Sequence, residues 1–348
     1  MKYAAELSDM DRKLAESKLK DFVPDEIYDI HIHPVNPAHF PVGTYQFLPD
    51  HPLGCEVHRA ALRRYMPSRL VHGLYFGLPN PAGDRPALNE WISKEVRDFG
   101  TAISRVLLVV SPADDKDSVA KELRSGTYAG LKVYHSFVQH PDTMQTRVSD
   151  YAPDWMWEIL NEVRGVLMLH LVRDDAIADG QNQQDLRRLC REYPAVRVIL
   201  AHIGRSFNYR HARAGLWRVA DLENVMVDTS AIAEADAFRV AFDVMGPQRV
   251  LWGSDYPMSE TRGRCVATGT KFYWLHPEWV RLNVLSGMTL VGIESLLCLR
   301  EACEDRGLTQ SDINDLFYNN AARWLNLAVK NAASVSSPEA RLRVAGDR

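Results

Sequence analysis

The feature that most constrains the fold of this chain is a series of short apolar runs. Each run is too short and too continuously apolar for a surface helix, and the pattern is typical of strands that are buried on both faces of a parallel sheet. We count eight of them: IYDIHIHP (27–34), LVHGLYF (70–76), ISRVLLVV (103–110), AGLKVYH (129–135), GVLMLHL (165–171), VRVILAH (196–202), NVMVDTS (224–230) and RVLWGSD (249–255).

Helical segments separate most of these runs, and polar or turn residues precede each segment. The segments are DRPALNEWISKEVRDF, KDSVAKELRS, PDWMWEILNEVR, NQQDLRRLCREY and EADAFRVAFDVM. Eight strands that alternate with helices predict an α/β fold, the (β/α)8 TIM barrel. We expect one barrel domain over residues 1–330 and a polar C-terminal tail over residues 331–348.

Two connections are longer than a plain barrel needs. Residues 35–69 follow the first strand, and residues 256–285 follow the eighth. Both leave the C-terminal ends of their strands, and barrel enzymes carry their active sites at that face. We therefore expect these two insertions to form a substrate wall or a lid.

Composition excludes several classes of protein. The 348 residues are 46% hydrophobic and 25% charged, as in an ordinary globular protein, and no apolar run reaches the ~20 residues that span a bilayer. The net charge is −4, with acids and bases interspersed, so no basic stripe is available for nucleic acid. Five scattered cysteines and the lack of a signal peptide predict a cytoplasmic protein with reduced thiols. A homo-oligomer is compatible with the sequence, which leaves the oligomeric state open.

Polar and charged residues end several of the predicted strands. His31 and His33 close the first one, and because alternate residues of a strand point the same way, their two imidazoles can converge on one point. Pro34 then ends the strand. The other strand-end residues of this kind are Lys132 and His135 on strand 4, His170 on strand 5, His202 on strand 6 and Asp255 on strand 8.

A metal ion would explain this set of strand-end residues, since polar groups at the ends of apolar strands are costly unless paired or ligated. Imidazole and carboxylate ligands suit zinc, and also iron or manganese. Three histidines and one aspartate leave a place for water, whose pKa zinc can lower to about 7. Taken singly, His170 also fits a hydrogen-bonded core histidine, Asp255 a helix N-cap and Lys132 a salt-bridged lysine at the rim.

The motifs resemble those of the amidohydrolase superfamily. They are HIH on strand 1, LMLHL on strand 5, LAHIGRS on strand 6, LWGSDYP on strand 8 and the closing NNAARWLNL, in that order over about residues 27–330. More narrowly, they are similar to the amidohydrolase-related group that includes aminocarboxymuconate-semialdehyde decarboxylase, resorcylate decarboxylases and several hydrolases and hydratases of ring products.

The resemblance implies a role for each strand-end residue. The metal ligands would be His31, His33, His170 and Asp255. His202 matches a histidine that transfers protons beside the metal-bound water, so His202 and Asp255 would be the catalytic pair. Many relatives with two metals carry a carboxylated lysine on strand 4, where Lys132 stands. We favour one divalent metal, most simply zinc, with Lys132 in contact with the substrate or the ligands.

Two enzymatic functions follow from these expectations. The leading one is a metal-dependent hydrolase that acts on an amide, a lactone or another cyclic C–N or C–O bond of a small carboxylated substrate. The alternative is a metal-dependent, non-oxidative decarboxylase of an aromatic or muconate-like acid. A barrel that binds metal without catalysis is a third hypothesis. We expect the substrate contacts to come from Arg205, Arg173, Lys132 and Tyr256.

Overall fold

The computed structural model describes residues 3–4, 6–277 and 287–327. The predicted tail over residues 331–348 and part of the connection over residues 256–285 lie outside these ranges. Eight strands follow one another along the chain: β1 (Glu26–Ile32), β2 (Leu70–Tyr75), β3 (Arg105–Val110), β4 (Gly130–Val133), β5 (Val166–Leu169), β6 (Arg197–Leu200), β7 (Val225–Asp228) and β8 (Val250–Leu251).

The eight strands form one sheet in chain order, and every neighbouring pair is parallel. Backbone hydrogen bonds join β1 to the chain that leaves β8. The N–H of Ile30 donates to the carbonyl of Trp252 over 3.1 Å, and that of His33 donates to the carbonyl of Tyr256 over 2.7 Å. The predicted (β/α)8 barrel is therefore confirmed.

Helices cover the outside of the barrel, and the five predicted segments begin and end within two residues of their expected bounds. Aspartate is the N-cap residue of several helices, because its carboxylate accepts hydrogen bonds from the free N–H groups of the first turn. The α-helices are Asp9–Leu14, Cys55–Arg63, Arg85–Phe99, Lys116–Arg124, Val148–Tyr151, Asp154–Val163, Gly180–Glu192, Tyr209–Gly215, Ala235–Met245, Val291–Asp305, Gln310–Asn314 and Asn320–Trp324. No helix within the described ranges is long and apolar enough to cross a membrane.

The two long connections contain more regular structure than the sequence indicated. The connection after β1 includes the helix Cys55–Arg63. The connection after β8 includes an antiparallel hairpin, β9 (Arg264–Thr268) and β10 (Lys271–Leu275). The side chain of Asn208 donates to the carbonyls of Gly269 and Lys271 at the turn of this hairpin, which ties it to the chain that follows β6.

A shift of register in β1 turns the two histidines toward the mouth of the barrel. Ile30 packs in the inner core and Ile32 in the outer core, between strands and helices. Strict alternation would put both on one face, but the pairing of β1 with β2 shifts between Asp29 and Ile32. After the shift, the rings of His31 and His33 both contact the ring of Phe76, a member of the inner core.

The other end of the barrel is closed by the helix Asn320–Trp324. Ala321, Ala322 and Leu325 belong to the inner core. The fully buried side chain of Asn320 donates to the carbonyl of Val250, at the start of β8, over 2.8 Å. The NNAARWLNL motif thus has a packing role at the N-terminal face, far from the strand ends that carry the histidines.

Candidate active site

Three atoms from two segments of the chain converge at the C-terminal mouth of the barrel. Nε2 of His31 lies 3.2 Å from Nε2 of His33. Oδ1 of Asp255 lies 3.5 Å from the first nitrogen and 3.3 Å from the second. All three residues are buried, and they form one of two clusters within the described ranges with the spacing of metal ligands. One residue of β1, one that directly follows it and one from the chain after β8 therefore build one side of the mouth.

The hydrogen-bond partners of the two imidazoles decide which nitrogen carries the proton. Nδ1 of His31 faces a carboxylate oxygen of Asp228 at 2.9 Å, and Nδ1 of His33 faces the carbonyl of Phe76 at 3.3 Å. Both partners can only accept, so each Nδ1 carries the proton and each Nε2 presents a lone pair. Two imidazole lone pairs and an oxygen of Asp255 thus meet at one point, an arrangement that a cation would satisfy. Burial raises the pKa of Asp255.

The spacing and chemistry of these atoms fit a transition-metal ion. Around a tetrahedral zinc with ligands at 2.0–2.2 Å, neighbouring ligand atoms lie about 3.3–3.6 Å apart. The three separations observed, 3.2, 3.3 and 3.5 Å, agree with that value. Burial lowers the pKa of His31, and it holds the pKa of His33 well below its ordinary value. Both imidazoles are therefore neutral at physiological pH, which is the form that binds a metal.

Asp228, the last residue of β7, stands behind this cluster and was missed by the sequence analysis. It is fully buried, and one oxygen accepts from His31 Nδ1 while the other accepts the backbone N–H of His202 over 2.8 Å. Burial by itself would raise the pKa of Asp228, but the neighbouring His31 and His202 bring the pKa below its ordinary value. The signal was available, since an aspartate ends the apolar run NVMVDTS. A carboxylate behind a ligating histidine is a common support of metal sites.

His202 is held beside the cluster by Ser230. Its Nδ1 lies 2.8 Å from the carbonyl of Ser230 and 2.9 Å from the hydroxyl, while that hydroxyl donates to Asp228. The carbonyl can only accept, so Nδ1 carries the proton and Nε2 is free to accept one. The ring centroid of His202 lies 4.9 Å from that of His31 and 5.2 Å from that of His170.

The backbone at His202 is a left-handed turn rather than a helix. Positive φ angles of 55°, 52°, 64° and 60° run through His202, Ile203, Gly204 and Arg205. Asp255 is also left-handed, with a φ of 61°. Residues other than glycine adopt this conformation at a cost, and such residues concentrate at functional sites. Gly204 is also required sterically, because a Cβ there would come within 2.8 Å of Ile177.

Lys132 is fully buried on β4 and faces the same interior. Its Nζ lies 4.8 Å from the ring centroids of both Phe76 and Tyr134, and it has no hydrogen-bond partner. Burial lowers the pKa of Lys132 to about 7, against the opposing attraction of Asp228 and Asp255. A buried ammonium without a partner is costly, so this side chain is available to an anion.

His170 and Arg205 lie on the same side of the mouth as Lys132. His170 contacts His202 but is outside the cluster of three converging atoms. Arg205 donates to the carbonyl of Arg173 over 2.8 Å, lies 5.4 Å above the ring of Phe272 on β10, and forms no ion pair with a described residue. Burial, together with the positive charges of Lys132 and Arg205, lowers the pKa of His170. This side of the mouth thus carries a guanidinium and a buried lysine.

The structure does not bring the other two expected substrate contacts to the mouth. The guanidinium of Arg173 is engaged by Asp179 at 2.9 Å and by the carbonyl of Gln145 at 2.6 Å. Tyr256 is fully buried in the outer core, with its ring against that of His58 at 5.1 Å.

Comparison with known families decides the class of protein. The sequence profile of a family described as "Amidohydrolase" (Amidohydro_2) matches residues 28–327, from β1 to the closing helix. The chain belongs to the amidohydrolase-2 family. It is therefore an enzyme of a family of metal-dependent hydrolases and decarboxylases that act on small molecules. No curated protein matches the chain significantly.

Solved structures of other proteins share the fold of this amidohydrolase at low sequence identity. An amidohydrolase from Burkholderia multivorans with bound zinc has 15% identity and a TM-score of 0.55, over 86% of this chain and 99% of its own. A protein from Acinetobacter baumannii, described as a probable 2-pyrone-4,6-dicarboxylic acid hydrolase and solved with citric acid, has 15% identity and a TM-score of 0.54. The match covers 86% of this chain and 99% of its own. The 2,6-dihydroxybenzoate decarboxylase from Rhizobium has 14% identity and a TM-score of 0.53, over 87% of this chain and 99% of its own.

Proposed function

We propose that this amidohydrolase is a metal-dependent hydrolase that opens an amide, a lactone or another cyclic C–N or C–O bond of a small carboxylated substrate. The observation that carries the proposal is the meeting of two imidazole lone pairs and a carboxylate oxygen 3.2–3.5 Å apart at the mouth of the barrel. One divalent ion, in our proposal zinc, would be held there by His31, His33 and Asp255. His170, whose ring centroid lies 5.2 Å from that of His202, is the proposed fourth ligand.

The bound ion would supply Lewis acidity and lower the pKa of water. The residues around it move the protons. Asp255 lies next to both histidines and is placed to accept a proton from the attacking water. His202 holds its own proton on Nδ1 against Ser230, so its Nε2 can take up a proton and return it to the leaving group. Asp228 supports both steps because it fixes the ring of His31 and the backbone of His202.

The substrate carboxylate would bind on the side of the mouth opposite to Asp255. Lys132 and Arg205 form no ion pair with a described carboxylate, whereas Arg173 is already paired with Asp179. We therefore propose Lys132 and Arg205 as the anion-binding residues. Arg173 and Tyr256 would contribute indirectly, through the loops that they hold.

The same residues would also serve a decarboxylase of an aromatic or muconate-like acid. One observation favours this alternative. Aromatic rings from the chain after β6 and from the hairpin β9–β10 form a cluster next to the ring of His202. The centroid of Phe207 lies 5.1 Å from that of His202, and Phe272 and Trp274 pack on Phe207 at 5.0 and 5.4 Å. Such a wall suits a planar substrate.

A paired screen would separate the two functions. The zinc-loaded enzyme is offered amides and lactones of carboxylated molecules, with ring opening as the readout, and aromatic acids, with release of CO₂ as the readout. Chelated enzyme and enzyme restored with zinc serve as controls. Zinc-dependent ring opening supports the hydrolase, zinc-dependent CO₂ release supports the decarboxylase, and a protein that binds no divalent metal contradicts both.

A further inference from the structure

We infer that Asp29 is a positioning residue that fixes the two ligand-bearing segments of the proposed metal centre against each other, and that His58 holds Asp29 in place. This inference rests on the proposed function, because it concerns the affinity of the site for its metal. Neither residue belongs to the ligand clusters found within the described ranges. Their importance comes from where the ligands lie in the barrel.

Three of the four proposed ligands lie on the two sides of the seam of the barrel, the place where β1 meets the chain after β8. His31 and His33 belong to β1 or its end, and Asp255 belongs to the chain after β8. The other strand pairs are joined by ladders, but the described sheet runs from β1 to β8 without a ladder between these two, and β8 has only two residues. The distance between the ligands therefore depends on a few separate bonds across this seam.

The carboxylate of Asp29 makes a bond to each side of the seam. Its Oδ1 accepts the backbone N–H of His31 over 3.2 Å and the backbone N–H of Ser254 over 2.9 Å. His31 is a proposed ligand, and Ser254 precedes the ligand Asp255. One oxygen atom thus links the backbones of the two segments at the point where their side chains meet.

His58 engages the other oxygen of this carboxylate. Its Nε2 lies 3.0 Å from Oδ2 of Asp29, both side chains are fully buried, and the hydroxyl of Tyr75 lies 3.4 Å from Nδ1 of His58. A buried carboxylate is stable only when its oxygens are hydrogen-bonded, and three donors meet that need here. His58 lies on the helix Cys55–Arg63, so the connection after β1 is tied to the same seam.

Measurement of metal affinity in the folded protein tests this role. Zinc is titrated into the metal-free wild type, Asp29→Ala and Asp29→Asn in competition with a chromophoric chelator. Loss of a group that orients a ligand typically weakens metal binding by about 10–100-fold, and we expect a loss of that size for Asp29→Ala. Asp29→Asn keeps an oxygen that can accept both N–H groups, so it should restore most of the affinity.

Asp11→Ala is the matched control. Asp11 is also a fully buried aspartate that links two segments, since it accepts the N–H of Ser8 over 2.7 Å and that of Leu290 over 3.3 Å. It should lower the melting temperature without changing zinc affinity. If Asp29→Ala binds zinc as tightly as the wild type, or if Asp11→Ala loses as much affinity, the inference is wrong. Absence of zinc binding by the wild type would instead contradict the proposed function.

A second pair of variants tests the same role if Asp29→Ala does not fold. His58→Leu removes the donor to Asp29, whereas His58→Gln retains an N–H group at a similar distance from the backbone. We expect weaker zinc binding in His58→Leu, by a smaller factor than in Asp29→Ala, and recovery in His58→Gln. Equal affinities in wild type, His58→Leu and His58→Gln would contradict the role assigned to His58.

Discussion

The two sides of the barrel mouth differ in charge and in spacing. On the side of β1 and β8, the ligand atoms of His31, His33 and Asp255 lie within 3.2–3.5 Å of one another, and Asp228 lies directly behind His31. On the side of β4 to β6, Lys132 has no hydrogen-bond partner, and neighbouring imidazole centroids are 5.2–6.5 Å apart, compared with 4.9 Å for His31 and His33. The first side offers lone pairs and carboxylates, and the second offers cationic groups.

This difference shows how one cavity can bind partners of opposite charge. Carboxylates concentrated on one side favour a metal cation there, and the unpaired ammonium on the other side favours an anionic substrate group. His202 lies between the two sides, with its backbone bonded to Asp228 and its ring against that of His170. That position suits a residue that moves protons between metal-activated water and substrate.

The largest expected effect concerns the first side. Asp255→Asn should remove nearly all activity and weaken metal binding, because Asp255 is proposed both to bind the ion and to accept the proton of water. Metal content after dialysis and kcat with zinc in excess are the measurements. Full activity with normal metal content would show that the first side has been misidentified.

His202→Asn tests the residue between the two sides. We expect kcat to fall by ~10²–10⁴ with a smaller change in KM, the typical contribution of a general acid or base. Metal content should stay near that of the wild type, because His31, His33, His170 and Asp255 remain. Stoichiometric loss of metal would make His202 a ligand, and unchanged kcat would make it structural.

Asp228→Asn tests the support behind the first side. An asparagine can still accept a hydrogen bond but no longer presents two anionic oxygens to His31 and His202. We expect metal affinity or kcat to fall by about 10–100-fold, the usual cost of losing a partner of a ligating histidine. Chelator competition and steady-state kinetics measure the two effects. If neither changes, Asp228 serves only the packing of β7.

An effect of similar size, confined to KM, is expected on the second side. Lys132→Met should raise KM for a carboxylated substrate by about 10–100-fold with little change in metal content, since a hydrogen bond to a charged group contributes ~1.5–3 kcal/mol. Lys271→Met is the control, because Lys271 already pairs with the exposed Asp174 at 2.9 Å. Loss of a second bound metal in Lys132→Met would instead point to a carboxylated lysine that bridges two ions.

Much of the site could be inferred from strand ends, and the remainder could not. The imidazoles of His31 and His33 do converge, and Asp255 joins them, as the spacing and order of the motifs indicated. The position of Asp228 at a strand end could be read from the sequence, but its partner His31 could not, because the two residues lie 197 positions apart. The hairpin β9–β10 was overlooked because its two short strands lie in a segment that appeared to be a loop.

The sequence by itself determined the barrel, because apolar runs and helical periodicity are local patterns, and their order fixes which strand ends meet at one face. Only the tertiary structure decided how that face works. The register shift in β1 turned His31 and His33 inward, and the closure of β8 on β1 brought Asp255 to them. The tertiary structure also placed Asp29 and Asp228 behind the ligands. Such roles depend on distances across the barrel, and no local pattern in a chain specifies them.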